Sequence, residues 1–301
     1  MNNKILSVWQ RAVGILIPEP LSSGPETGSS SPSSSLGATN GLDHIGIGDP
    51  TPLLSTAALK ARPPARYAVL GDIHANLEAF TAVLDDARAQ GCARFVCVGD
   101  IVGYNTNPKE CIELVRQLEM PCVKGNHDEY CSKDDFMPPP GVNARAVAAI
   151  LWTREQLSEG ERQWLKALKY VRPVGSFSIV HATLDDPKQW GYVVERVEAA
   201  ASFSYQTTPV CFFGHTHLPM AFVRDGLVRH RRYSTLKVEP GRQYFVNVGS
   251  VGEPRDGDPR AAYVIYEPAT GFIELRRVAY DVQQTLAKAR AAGLPPRRTA
   301  M

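Results

Sequence analysis

From Tyr67 onward the chain alternates short apolar runs with stretches whose apolar residues recur at helical spacing. Tyr67, Ala68, Val69 and Leu70 form a buried-strand pattern that stops at Gly71-Asp72, and residues 76–90 follow with Leu77, Phe80, Val83 and Leu84 on one helical face. Residues 95–98 read as the next strand and end in Gly99-Asp100. A helix then runs over 108–118, opened by Pro108, which suits a first turn. A short strand at 122–124 leads into Gly125-Asn126-His127-Asp128. Strand and helix in this alternation predict parallel βαβ units and place the chain among α/β folds.

The middle is predicted helical over 144–157, and again from Ser158, whose pairing with Glu161 is a capping-box signature, to about Tyr170. Beyond it the pattern turns mostly to strands, at 177–180, 210–213, 220–224, 244–248, 262–266 and 272–278, with a last helix at 282–292. The chain before residue 65 has a different character. Residues 5–17 put Ile5, Val8, Trp9, Ala12 and Leu16 on one helical face, but Gln10 and Arg11 interrupt them and the stretch is too short to span a bilayer. Ser, Pro, Gly and Thr dominate residues 18–40, a composition that cannot offset its ordering entropy by burial and reads as a linker. The expected organisation is an N-terminal appendage at 1–64, one large domain at 65–292 and a basic tail at 293–301.

Charge narrows the partners. The 301 residues carry 33 Lys and Arg against 31 Asp and Glu, a net charge of +2. Nothing in that balance pulls the whole molecule toward nucleic acid or a membrane surface, so an anionic ligand must be attracted locally. The one basic cluster, Arg229, His230, Arg231 and Arg232, is expected as a solvated turn. Six cysteines show no CxxC spacing, and Cys97 and Cys211 lie inside apolar runs. That suits buried free thiols in a reducing, cytoplasmic compartment.

The candidate chemistry gathers at strand ends. Asp72 and His74 follow the first strand, Asp100 the second, Asn126 and His127 the third, His181 the strand at 177–180, and His215 with His217 the strand at 210–213. In open α/β architectures ligands bind beyond the carboxyl ends of strands. Two carboxylates, an amide oxygen and four imidazoles, with no thiolate, suit a borderline divalent ion such as Mn, Fe, Ni or Zn. Seven ligands exceed what one ion needs and fit two ions sharing a bridging carboxylate. Two such ions, roughly 3.5–4 Å apart, clamp the attacking and leaving oxygens of a phosphoryl displacement and acidify a bridging water into hydroxide. Alternation puts Asp72 and His74 on one face, where they can chelate one ion, whereas His215 and His217 could share an ion or serve different ones. A lone His at a strand end is more often a satisfied hydrogen-bonding residue, but five of the seven histidines fall in these segments.

Taken in order, these residues resemble the calcineurin-like metallophosphoesterases, whose signature runs D-x-H, GD, GNH followed by D or E, H, and GH-x-H. The resemblance covers about residues 66–280. It is to the compact bacterial and archaeal members, through GDIHANLEAF at 71–80, VGDIVGYN at 98–105 and NVGSVGEPRDGDPRA at 247–261. It implies a four-layer α/β/β/α sandwich with two mixed β-sheets. It also implies that Asp72, His74 and His217 hold one ion, that Asn126, His181 and His215 hold the other, and that Asp100 bridges. The same resemblance gives His127 a phosphoryl contact as leaving-group acid or charge stabiliser, with Asp128 orienting its imidazole. Manganese is the favoured ion.

One departure from the family separates its branches. The Ser/Thr protein phosphatases read GD-x-V-D-R-G at the second motif, whereas this chain has Gly103 and Tyr104 at the positions of that Asp and Arg. Loss of the bidentate arginine favours phosphodiesters over phosphoproteins, and Tyr104 could stack a nucleobase or simply pack its loop. Arg255 could touch substrate or pair with Glu253, Asp256 or Asp258, and Trp190 and Tyr192 could wall the pocket or pack beneath a loop. The expected activity is hydrolysis of a small phosphoester or nucleotide. A phosphomonoesterase, including a Ser/Thr-type protein phosphatase, is the alternative, and a nuclease or a non-catalytic scaffold stands behind it. Small members of the family often self-associate, so a homo-oligomer is possible.

Overall fold

The computed structural model describes residues 65–139 and 141–295. The appendage, with its expected apolar helix and linker, and residues 296–301 of the tail lie outside the described residues.

Strands β1 (Tyr67–Leu70) and β2 (Arg94–Cys97) run parallel, with helix α1 (Leu77–Ala89) between them in the chain. Helix α1 starts where the Asn76 side chain accepts from the Ala79 N–H, and α2 (Pro108–Gln117) carries Pro108 in its first turn. Strand β1 also pairs antiparallel with β10 (Ala261–Glu267), which pairs with β11 (Phe272–Val278) and through it with β8 (Thr235–Lys237). A five-stranded sheet results, in the order β2-β1-β10-β11-β8. The second sheet has six strands. It joins β3 (Val171–Val174), β4 (Phe177–Val180), β5 (Val210–Phe213), β9 (Gln243–Asn247), β6 (Ala221–Arg224) and β7 (Val228–Arg231) in that order, with β4, β5 and β9 parallel. Both sheets are mixed.

Alternation along each strand builds the layers. Tyr67 and Val69 of β1 enter a core shared with Val210 and Phe212 of β5, so the two sheets pack face to face. Ala68 and Leu70 point the other way, into the core beneath α1 and α2. Cys211 and Phe213 of β5 meet α6 (Arg196–Phe203) on the outer face of the second sheet. Helix, sheet, sheet, helix is the four-layer sandwich the sequence implied. Burial on both faces explains why these strands read as continuous apolar runs.

Several expectations needed revision. Residues 122–124 form only isolated bridges, Cys97 with Cys122 and Val123 with Lys169, and Asn126 opens a short helix, α3 (Asn126–Ser132). Helix α4 (Ala144–Gln156) is as expected; α5 (Glu159–Ala167) stops short of Tyr170, and strand β3 follows with Pro173 on a sheet edge, where a missing N–H is tolerated. The basic cluster is not a turn: Arg229, His230 and Arg231 lie on the edge strand β7. Helix α7 (Val282–Ala291) closes the described chain, and Leu294 just beyond it is buried against Tyr104 and Ala146. Among the described residues no helix is long and apolar enough to cross a membrane.

Candidate metal centre

The carboxyl ends of β1 and β2 in one sheet and of β4 and β5 in the other converge, and their loops are unusually wound. Asp72, His74, Asp100, Tyr104, His215 and His217 all adopt positive φ, between 49° and 65°. Asp and His tolerate this region better than most residues, yet each departure costs of order 1 kcal/mol. The glycines before the ligands make room. A Cβ on Gly125 would lie 2.1 Å from Asp100 Oδ1, and one on Gly214 2.2 Å from Asp72 Oδ2. Gly125 has φ −95°, so the reason for it is close approach of a carboxylate rather than a left-handed turn.

Asp72, His74, Asp100 and His217 form one buried group whose ligand atoms lie within 4.8 Å of one another. His217 Nε2 is 3.1 Å from Asp72 Oδ1, and His74 Nε2 is 3.6 Å from Asp100 Oδ2. The second set adjoins it through Asp100, whose Oδ2 is 3.4 Å from His181 Nε2, which in turn is 3.2 Å from Asn126 Oδ1. The His215 ring lies 5.0 Å from that of His181. All seven residues singled out in the sequence are thus brought together.

The imidazoles are locked for ligation. His74, His181 and His217 direct Nδ1 at the backbone carbonyls of Val102, Val98 and Glu253, at 3.2, 2.9 and 2.6 Å. A carbonyl only accepts, so these nitrogens carry the hydrogen and Nε2 is left as a lone pair turned inward when the ring is neutral. His215 is reversed: its Nε2 donates to Trp190 O at 2.9 Å, leaving Nδ1 for the site. The consequence is clearest where His74 Nε2 faces His217 Nε2 at 3.1 Å beside the Asp72 carboxylate. Two lone pairs and a carboxylate aimed at one point repel unless a cation lies among them. The donor set therefore fits a divalent ion. Burial drives the His74 pKa well below its ordinary value despite Asp100, whereas the nearby Asp100 carboxylate overcomes the effect of burial and holds His181 up at about 10. In the ion-free protein a proton on His181 stands where positive charge is wanted.

His127 sits beside this cluster on the first turn of α3. Its ring packs against Tyr104 at 4.6 Å and His74 at 4.8 Å, and burial lowers its pKa to about 4. Nδ1 has no hydrogen-bond partner and abuts Gly103, where an added Cβ would lie 2.4 Å away. Asp128, expected to orient this imidazole, is engaged elsewhere. Its carboxylate accepts from the backbone N–H groups of Asp100, Ile101, Val102 and Gly125, at 2.8 to 3.3 Å. It shapes the Asp100 loop and caps α3, because at the third position of that helix it reaches the N-cap N–H more directly than the neighbouring ring.

Around the cluster opens a cleft of about 1380 Å³. Tyr104 and Tyr192 both line it, Tyr192 with its ring 4.4 Å from His215, and Trp190 stands edge-on to His181 at 5.8 Å. Arg255 reaches the Tyr104 hydroxyl at 3.4 Å. Supporting residues that the sequence reading passed over include Asn105, which donates to His74 O at 2.9 Å, and Ser250, which donates to Asp72 O at 2.8 Å. Arg145 lies over the Tyr104 ring and pairs with Glu253 at 2.9 Å. The only signal for Asn105 and Ser250 was membership of the VGYN and GSVGEPR segments, and Arg145 had none.

The sandwich and its buried Asp/His cluster define a metal-binding phosphoesterase class, and sequence comparison agrees. The chain belongs to the calcineurin-like phosphoesterase superfamily, whose domain description matches residues 66–271. An uncharacterized protein of Methanocaldococcus jannaschii is 34% identical over 227 residues, which cover 73% of this chain and 90% of that protein. Among solved structures, a metallophosphoesterase from Sphaerobacter thermophilus is 38% identical, with a TM-score of 0.68, covering 77% of this chain and 95% of that one. A hypothetical protein from Pyrococcus horikoshii OT3 shares the fold at 18% identity and a TM-score of 0.62, over 77% of this chain and 94% of its own. The protein is thus a metallophosphoesterase, a hydrolase of phosphate esters.

Proposed function

We propose that the protein is a binuclear, metal-dependent phosphodiesterase of the cytoplasm, with manganese as the favoured ion. Asp72, His74 and His217 hold one ion, Asn126, His181 and His215 the other, and Asp100 bridges. The observation that carries this reading is the position of Asp100 Oδ2, 3.6 Å from His74 Nε2 and 3.4 Å from His181 Nε2, between two sets of inward-turned imidazoles. When bound, a pair of divalent ions supplies Lewis acidity to the phosphoryl oxygens and lowers the pKa of water toward neutrality.

The chain's own groups supply orientation. Backbone carbonyls fix the histidine tautomers, and Asp128 holds the Asp100 loop through four amides. His127, neutral at physiological pH with Nδ1 against Gly103, offers Nε2–H to the phosphoryl group or the departing oxygen. It therefore acts as a hydrogen-bond donor and charge stabiliser more than as a reservoir of a full proton. Six buried free thiols are in keeping with a reducing compartment. Gly103 and Tyr104 leave no second-motif arginine, which weakens a phosphoprotein substrate and leaves a diester, the substrate proposed, or a small monoester.

The test is a panel of cyclic, linear and monoester phosphates, assayed with Mn, Fe, Ni, Zn and Mg supplied separately. Hydrolysis should vanish with chelator, return with manganese, and favour a diester over the monoester of the same leaving group. Undiminished turnover of an activated diester by metal-stripped protein would refute the proposal.

A further inference from the structure

The segment 249–260, between β9 and β10, is more than a connection. Near its start, Ser250 Oγ and Gly252 N–H donate to Asp72 O, at 2.8 and 2.9 Å. Glu253 then presents its carbonyl to His217 Nδ1, and the Arg255 N–H donates to His217 O at 3.4 Å. Beyond that point the Asp256 carboxylate pairs with Arg277. Arg255 is thereby held on both sides, one residue from an ion pair and directly against a site histidine.

Its side chain lies in the cleft between two tyrosines. The guanidinium reaches the Tyr104 hydroxyl at 3.4 Å, and Tyr192 stands beside it. Each tyrosine ring rests on a histidine of the site, Tyr104 on His127 at 4.6 Å and Tyr192 on His215 at 4.4 Å. The three side chains therefore form an arch across both halves of the cluster. A second arginine, Arg145 over the Tyr104 ring, is already paired with Glu253, at 2.9 and 3.3 Å. Arg255 hydrogen-bonds the hydroxyls of Tyr104 and Tyr192 and feels the buried Asp72 carboxylate from a distance, and two hydroxyl contacts engage only part of the guanidinium's five N–H donors. The cleft is also lined by Val142, Leu286, Ala289 and Leu294, apolar groups suited to a carbon-bearing ester arm, with Arg290 beside them.

We propose that Arg255 grips a non-ester oxygen of the substrate phosphate, and that the Tyr104–Arg255–Tyr192 arch admits a monoanionic phosphodiester whose second ester arm runs along the apolar wall toward α7. This rests on the phosphodiesterase reading above. The apolar wall gives the second ester arm of a diester a surface to pack on, which a monoester has no group to use.

The experiment uses the manganese-loaded full chain, with Arg255→Ala, Arg255→Lys and Tyr104→Phe variants. Inorganic phosphate binding is followed by calorimetry, metal content by mass spectrometry, and kinetics with bis(p-nitrophenyl) phosphate and p-nitrophenyl phosphate. Arg255→Ala should keep its metal, bind phosphate roughly 10- to 100-fold more weakly, and lose a similar factor in kcat/KM, as expected for a charge-assisted hydrogen bond. Arg255→Lys should recover only part of this, for want of the planar fork, and added guanidinium ion should restore turnover to Arg255→Ala but not to Arg255→Lys. Tyr104→Phe should lose about threefold or less, the hydroxyl being an orienting partner. Unchanged phosphate affinity in metal-replete Arg255→Ala overturns the clamp, as does a loss that tracks metal content. A wild-type preference for the monoester overturns the diester restriction. If the wild type hydrolyses neither ester, the functional reading fails, while Arg255-dependent phosphate binding still upholds the clamp.

Discussion

The two halves of the proposed metal centre are built to different standards. Asp72, His74 and His217 are at most 2% exposed, and two segments pin them: Asn105 holds the His74 backbone, while in the 249–260 segment Ser250 and Gly252 hold the Asp72 backbone and Glu253 the His217 ring. On the other side, Asn126 is half-buried, and although the His215 N–H donates to the Asp72 carboxylate, its ring rests on one carbonyl, that of Trp190, in a loop whose neighbour Tyr192 is 54% exposed. One half is pre-organised by the fold, and the other is completed by a surface loop. Ions should therefore load in order, the Asp72 side first and the His215 side more weakly.

The largest effect should come from the residue common to both halves. Asp100→Ala should lose both ions and on the order of 10³-fold in kcat/KM, the several kcal/mol that metal chemistry contributes; a variant retaining two ions would remove Asp100 from the bridge. Next come the single ligands. His215→Ala should keep one tightly held ion per chain, whereas His217→Ala should weaken that first ion by at least about 100-fold, read by equilibrium dialysis with mass spectrometry. Equal losses in the two variants would erase the difference between the halves.

Proton linkage gives a third measure. His181 is held up at about 10, above its ordinary 6.5, by Asp100, so in the ion-free protein this pair stabilises fully below about pH 6.5 and fades as pH rises through about 10. An ion entering the His181 side must displace that proton. Its affinity should rise about tenfold per pH unit across neutrality, with one proton released per ion in calorimetry run in buffers of different ionisation enthalpy. Smallest is Ser250→Ala, which should cost the ion-free protein about 1 kcal/mol in denaturant melts and weaken only the first ion. A weakened second ion instead would mean that the bracing is not local to one half.

What could be read from the chain reflects where the physics is local. Strands buried on both faces appear as apolar runs, and a polar residue placed one or two positions beyond such a run needs no further information, so all seven residues that the fold gathers at the cluster were visible. The short strands β3, β7 and β8 were not, since Arg172, Pro173 and His230 on sheet edges carry no apolar alternation. Asp128 was misassigned for a related reason. Sequence adjacency suggested the His127 ring as its partner, but helix geometry gave the carboxylate four amides, and nothing one-dimensional distinguishes the two. Glu253 and Arg145 meet only through the tertiary fold.

The position of β10 between β1 and β11 governs when the site can exist at all. Tyr67 pairs with Tyr266, and Asp72 leans on Ser250, so neither the first sheet nor the first ion's cradle is complete until nearly the whole domain has been synthesised. Such long sequence separations slow folding, because loop closure must be paid before the contacts return anything. On the proposed function, ion capture would be a terminal event, and a captured ion would act as a latch on the finished topology. An ion present at about 100 times its dissociation constant would add about 2.7 kcal/mol to global unfolding, so the proposed site would make metal supply part of the folding equilibrium as well as of the chemistry.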